Sequence, residues 1–188
     1  MRYKVTFLDY WHLSSGLSAG AKLDSTVTKD KDGLPYIAGK TIKGLLREVA
    51  ELTDNKDFVF ICFGSSSDEK DDFYSEEKIV SETYFSNAQI EENTRKKIVQ
   101  DKLQNQLFDE ISSTKIDENG IAETGSLRQI EVVIPITLYG SIENIPENYE
   151  KAMENCLKQI KRMGLNRNRG LGRCKIEVVG DENEKNRF

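Results

Sequence analysis

Apolar and polar residues alternate over the first eight positions. Tyr3, Val5 and Phe7 fall on one side and Arg2, Lys4 and Thr6 on the other, which is the period of a strand. The rhythm changes at 41–50, where Ile42, Leu45, Leu46, Val49 and Ala50 recur at helical spacing behind Thr41, a suitable cap. Between the two, residues 12–35 hold Gly16, Gly20, Gly33 and Pro35 among small polar residues and predict a long excursion. Ile79, Val80, Tyr84 and Phe85 suggest a second strand over 79–85. Val99, Leu103, Leu107 and Ile111, with Phe108 beside them, predict a helix over 93–111. Residues 112–126 are too polar to pack and include Asn119-Gly120, a strong hairpin-turn signal. A β-branched run predicts a strand over 128–139, with Pro135 marking an edge or a bulge. An apolar stripe from Tyr149 to Met163 predicts a helix over 147–163, entered at Pro146 and closed by Gly164. Cys174, Ile176 and Val178 predict a last strand over 173–179.

The order is β-α-β, an insertion, then β-α-β. It predicts an α+β, ferredoxin-like sheet with two helices on one face. One domain over 1–180 suits a chain of 188 residues; 65–77 is expected as an acidic loop and 181–188 as a polar tail.

Composition changes the picture in one respect. The net charge of −5 argues against nucleic acid, but the charge is segregated. Residues 68–77 carry six acids and one lysine, whereas 151–175 carry eight bases against Glu154 alone. Lys40, Lys43 and Arg47 add a second basic segment with no acid between them. Phosphate affinity follows local potential, so an acidic chain with two basic segments can bind RNA if the fold joins them. No apolar run approaches the roughly 20 residues of a membrane span, and no signal-peptide pattern opens the chain. Three scattered cysteines and a single histidine argue against a zinc site and make a reducing cytoplasm the default compartment.

Two stretches carry candidate chemistry. Gly39-Lys40-Thr41 at a helix start resembles a phosphate loop, but five residues separate Gly33 from Gly39 where that motif needs four, and Pro35 removes an amide. A polynucleotide phosphate remains a suitable ligand there. Between Gly164 and Arg173, Arg167, Arg169 and Arg173 interleave with Gly170 and Gly172. Glycines let a backbone come close to a ligand and arginines grip phosphate in two places at once. The same pattern also suits a helix end followed by a solvated turn. Asp24 lies in the glycine-punctuated excursion, where an aspartate is ordinarily a turn former. His12, past the first strand, has the chemistry of a general acid or base; with no second histidine, a two-histidine ribonuclease mechanism is excluded.

Several of these stretches together resemble the RAMP superfamily of CRISPR proteins. They are residues 11–16 from Trp11 to Gly16, 23–27 around Asp24, the block 33–47 from Gly33 to Arg47, Phe63-Gly64-Ser65, residues 116–122, Gly125 to Arg128, and the closing glycine-rich loop. Their order and spacing fit best the backbone subunit of type III interference complexes. Ser14 stands where the family has its second glycine, and the acidic run at 68–77 is unexpected on a surface that faces RNA.

The resemblance implies copies of the subunit stacked along a guide RNA, beside other CRISPR effector subunits. It assigns guide binding to His12, Lys40, Thr41, Lys43, Arg47, Arg128, Arg167, Arg169, Gly170, Gly172 and Arg173. The hairpin at 112–126 becomes a thumb that displaces bases between guide and target RNA. Asp24 becomes the catalytic residue that cuts target RNA with a divalent metal, Mg or Mn. Two alternatives stay open: a scaffold without catalysis, and a guide-processing endoribonuclease that uses His12. All three require the start of the first helix and the late arginine loop to flank one groove.

Overall fold

Strand β1, Arg2–Phe7, buries every second side chain, as its alternation requires. It lies at the centre of a four-stranded antiparallel sheet and pairs with β5, Thr137–Glu143, on one side and β6, Cys174–Val179, on the other. The short β2, Tyr84–Phe85, completes the order β2-β5-β1-β6. Helices α1, Gly39–Glu51, and α4, Glu150–Gln159, pack against each other, and Ile42, Leu46, Met153 and Leu157 enter the core that lies against β1. Helix α2, Lys56–Phe63, adjoins α1. The computed structural model describes residues 1–18, 23–53, 55–65 and 81–180. The acidic run at 68–77, the strand start at 79–80 and the tail at 181–188 lie outside the described residues. Among the described residues, no helix is long and apolar enough to cross a membrane.

The second sheet is a two-stranded ladder of β3, Phe108–Ser113, and β4, Arg128–Val133. It corrects two readings of the pattern. Helix α3 ends early, at Glu92–Gln100, because Lys102 takes a positive φ of 55°. No side chain of α3 is fully buried, while Ile111 finds a cross-strand partner in Ile130. The run at 128–139 is two strands in two sheets. Residues 134–136 break it at Pro135, which cannot donate to a ladder. The Ile134 amide donates to the Leu107 carbonyl, and the Phe7 amide to the Ile136 carbonyl.

Two helix ends also differ from expectation. Ala38, not Thr41, precedes the first turn of α1, and the Gly39 amide donates to Asn87 Oδ1 at 2.9 Å. A Cβ at Gly39 would stand 2.0 Å from the Phe85 carbonyl oxygen, so only glycine starts the helix there. Helix α4 stops at Gln159; Ile160 is already extended, and an Arg162–Arg173 bridge lines up the chain beside β6. Gly164 therefore serves a later turn instead of closing the helix.

Candidate nucleic-acid interface

Residues 10–15 leave β1 and join three separate elements. On one side lies the glycine-rich loop. The Gly172 amide donates to the Tyr10 carbonyl at 2.8 Å, and the Leu165 amide to the His12 carbonyl at 2.8 Å. The approach is too close for side chains. A Cβ would stand 2.3 Å from the His12 oxygen at Gly164 and 2.0 Å from the Met163 oxygen at Gly172, which also holds φ +70°. These contacts turn Arg167 and Arg169 outward, both exposed. Arg173 is exposed as well, but Asp9 accepts its backbone amide at 2.8 Å and pairs with its Nε at 3.3 Å.

On another side, residues 13–15 form one wall of a cleft of about 440 Å3, lined also by Thr28, Lys29, Lys40 and Thr41. The two basic segments thus border the same short stretch of chain. Lys40 is exposed at the cleft, whereas Lys43 sits further along α1 with its ammonium 6.0 Å from the centre of the Phe85 ring. Arg47 is engaged within the protein. Its side chain is only 20% exposed; it bonds Glu51 Oε1 at 2.7 Å and the Gly64 carbonyl at 3.2 Å, so it ties α1 to the end of α2. A larger cleft of about 570 Å3, lined by Glu147, Glu150 and Glu154 with Arg2 and Lys151, includes none of the predicted site residues.

The third element is the loop that carries Asp24. The Asp24 amide donates to the Gln129 carbonyl at 2.9 Å, and Asp24 Oδ2 accepts the Gln129 amide at 2.8 Å. Ser25 bridges Ile130 in parallel, so residues 24–25 run along the half of the β3–β4 ladder nearer its tip, beside exposed Arg128. The Asp24 residue is exposed; the neighbouring hydroxyls pair with one another, Ser14 with Ser25 and Ser15 with Thr26.

His12 points into the protein. The ring is fully buried, with Nδ1 at 2.5 Å from the Glu131 carbonyl and Nε2 at 3.0 Å from Ser25 Oγ. A ring enclosed in this way, with both nitrogens bonded, has no edge left for RNA.

Two residues that sequence reasoning passed over hold this region together. Glu131, almost completely buried, accepts the Val27 amide at 2.9 Å and pairs with Lys29 at 2.7 Å. The Lys29 ammonium in turn lies 3.9 Å from the centre of the Phe108 ring. An acid inside the apolar run 130–134 was the available signal, because an unpaired carboxylate is rarely buried.

No cluster of three or more metal-binding side chains gathers among the described residues. The exposed Asp24 carboxylate is one hard-oxygen donor. A magnesium-type ion takes one or two carboxylates and draws its other ligands from water and substrate phosphates.

Residues 4–175 match the sequence model of the RAMP superfamily. Two solved structures resemble the chain along almost its whole length. A chain of the cryo-EM structure of type III-B Cmr-beta bound to cognate target RNA has a TM-score of 0.70 at 12% identity, covering 94% of this chain and 95% of that chain. A chain of the apo state of type III-B Cmr-beta has a TM-score of 0.66 at 14% identity, covering 96% and 97%. At such identities the likeness establishes the fold. None of the curated proteins matches the sequence.

Proposed function

The chain belongs to the RAMP superfamily, and from that premise we propose that it is a guide-RNA-binding backbone subunit of a type III CRISPR ribonucleoprotein that cuts guide-paired target RNA at Asp24. The observation that carries the reading is the position of residues 10–15, bordered by the arginine loop and by the cleft at Lys40 and Thr41. The target-bound Cmr-beta likeness agrees with it. In this reading the chain is one domain over 1–180 and its main sheet is ferredoxin-like. The order β2-β5-β1-β6 supports that, with the first and last strands adjacent. The β3–β4 hairpin is the thumb, and copies of the subunit stack along the guide with other effector subunits.

Guide binding falls to Lys40, Thr41, Arg128, Arg167, Arg169 and Arg173, with Lys43 further along the same helix. Contacts to phosphate and ribose position an RNA without reading its sequence, so one subunit serves any guide. Gly170 and Gly172 shape the loop that presents the arginines.

For cutting, RNA supplies its own nucleophile. A nucleotide displaced by the thumb turns its 2′-hydroxyl in line with the adjacent phosphate, and that alignment removes much of the barrier. The 2′-oxygen bonds to phosphorus, the bond to the 5′-oxygen breaks, and a 2′,3′-cyclic phosphate and a 5′-hydroxyl result. Asp24, fixed by Gln129, stands beside the hairpin where its ladder runs out into the tip, to accept the hydroxyl proton or to hold a cation. A bound Mg or Mn ion supplies positive charge at the scissile phosphate.

The test is Asp24→Ala in the assembled complex. Target cutting should fall by at least about 100-fold, the scale of a lost acid–base or metal-holding group, with guide RNA retained. Unchanged cutting overturns the role of Asp24. A wild-type complex that holds guide and target but cuts in neither Mg nor Mn identifies a scaffold instead.

A further inference from the structure

His12 lies at the junction of the elements just described, and for the neutral ring its hydrogen bonds have only one consistent direction. The Glu131 carbonyl can only accept, so the His12 Nδ1 carries the proton and donates to it at 2.5 Å. In the neutral ring Nε2 is then an acceptor, and the Ser25 hydroxyl, 3.0 Å away, donates to it. With its hydrogen committed, Ser25 Oγ accepts from the Ser14 hydroxyl at 3.2 Å. Ser14 Oγ in turn accepts the Gly16 amide at 3.1 Å. Every donor in this chain meets an acceptor, from the loop surface at Gly16 to the β4 backbone at Glu131.

The backbone of His12 faces another way. Its carbonyl accepts the Leu165 amide at 2.8 Å and lies against Gly164 too closely for any side chain there. One residue thus holds the arginine-bearing loop by its main chain and the Asp24 loop by its ring.

We propose that His12 and Ser25 are positioning residues for Asp24, a neutral Nδ1-protonated imidazole locking the aspartate loop in a fixed relation to the guide-holding loop. The proposal deepens the reading of Asp24 as the cutting residue and rests on it. Asp24 is gripped from the hairpin side through Gln129 and, one residue on, from the interior through the Ser25 hydroxyl. Removing the interior grip leaves the carboxylate in place chemically but lets the loop wander, and loss of such a supporting contact generally costs roughly 10- to 100-fold in activity.

Two measurements test this. His12 is the only histidine in the chain, so nitrogen NMR of the full-length protein near neutral pH reads its tautomer without assignment. A protonated Nδ1 with a bare Nε2 is expected; a protonated Nε2 overturns the hydrogen-bond direction and the proposal with it. The second measurement is cutting by the complex assembled with Ser25→Ala, a variant that takes out one hydroxyl and opens little space. The turnover rate should fall roughly 10- to 100-fold, the scale of a lost supporting contact. KM and guide retention should stay unchanged, the melting temperature should fall by only a few degrees for the lost partner of His12 Nε2, and Ser25→Thr, which restores the hydroxyl, should recover the rate. Wild-type turnover by Ser25→Ala, or a raised KM at unchanged turnover, overturns the positioning role. Asp24→Ala run alongside separates the two failures. If it still cuts, the functional reading falls. If it is inactive while Ser25→Ala is fully active, only the positioning proposal falls.

Discussion

Strand β1 and the β3–β4 hairpin each rest on antiparallel ladders of six residue pairs, yet they are held by different forces. Along β1 every second side chain is buried, and Phe7 stacks on Trp11 with ring centres 4.3 Å apart. Along β3 no side chain is fully buried, and β4 buries only Glu131, Val132 and Val133, at the end away from the tip. Backbone hydrogen bonds contribute modestly once water's competition is counted, so apolar burial separates the two ladders. The hairpin tip relies instead on local bonding. The Asp117 carboxylate accepts the amides of Asn119 and Ile121, which holds it below the usual carboxylate range, and Ser126 Oγ bonds both Thr114 and Lys115. Rigidity for the body and reach for the hairpin thus come from the same backbone pattern.

The contrast breaks most sharply on truncation. Phe7→Ala should lower stability by about 4 kcal/mol, as for a fully buried aromatic, whereas Ile121→Ala, at the exposed tip, should stay within about 0.5 kcal/mol. Urea unfolding of the two variants reads the difference, and equal losses would erase it. Gly172→Ala belongs to the body but reports on the interface. Its positive φ and the Met163 carbonyl beside it should cost about 2 kcal/mol in stability and weaken guide RNA binding in a filter assay. Changing Arg167, Arg169 and Arg173 together to Gln should leave stability alone. It should reduce the slope of log affinity against log salt by roughly 2, given about 0.7 per lost phosphate contact on a single strand.

The smallest effect concerns acid. Burial pushes the Asp30 carboxyl up, but its bonds to Arg95 and to the amides of Leu34 and Asp32 outweigh that and hold it below its ordinary value. Arg95 is bonded to Asp32 as well. A depressed carboxyl contributes stability above its ordinary titration range, and the contribution disappears as pH falls through the folded value. Arg95→Met should therefore narrow the gap between unfolding midpoints at neutral and acid pH.

Much of this architecture is visible in the residue pattern, and the misreadings have physical causes. The alternation of 2–7 and the stripes on α1 and α4 survive because each element has one face in the core, and burial enforces its period. The 93–111 stretch misled because Leu103, Leu107 and Ile111 at spacing four fit a helix, while a positive φ at Lys102 and pairing partners 19 to 25 residues away decided otherwise. The role of Pro135 was legible as an interruption but not as a change of sheet, which depends on where Leu107 and Phe7 lie. At the site, the arginine loop stood out by residue type, whereas Asp24 read as a turn former and was marked only by the family resemblance. The Ser14–Ser25–His12 connection did not stand out, since serines and a lone histidine carry no spacing rule.

The break at Pro135 also frees the hairpin's length. Because β4 and β5 belong to separate sheets, residues added to or removed from the tip do not shift the register of β5 against β1. Loop closure entropy grows only with the logarithm of loop size, so a longer arm is thermodynamically cheap. The span of the projection can drift through insertion and deletion while the globular body keeps its geometry.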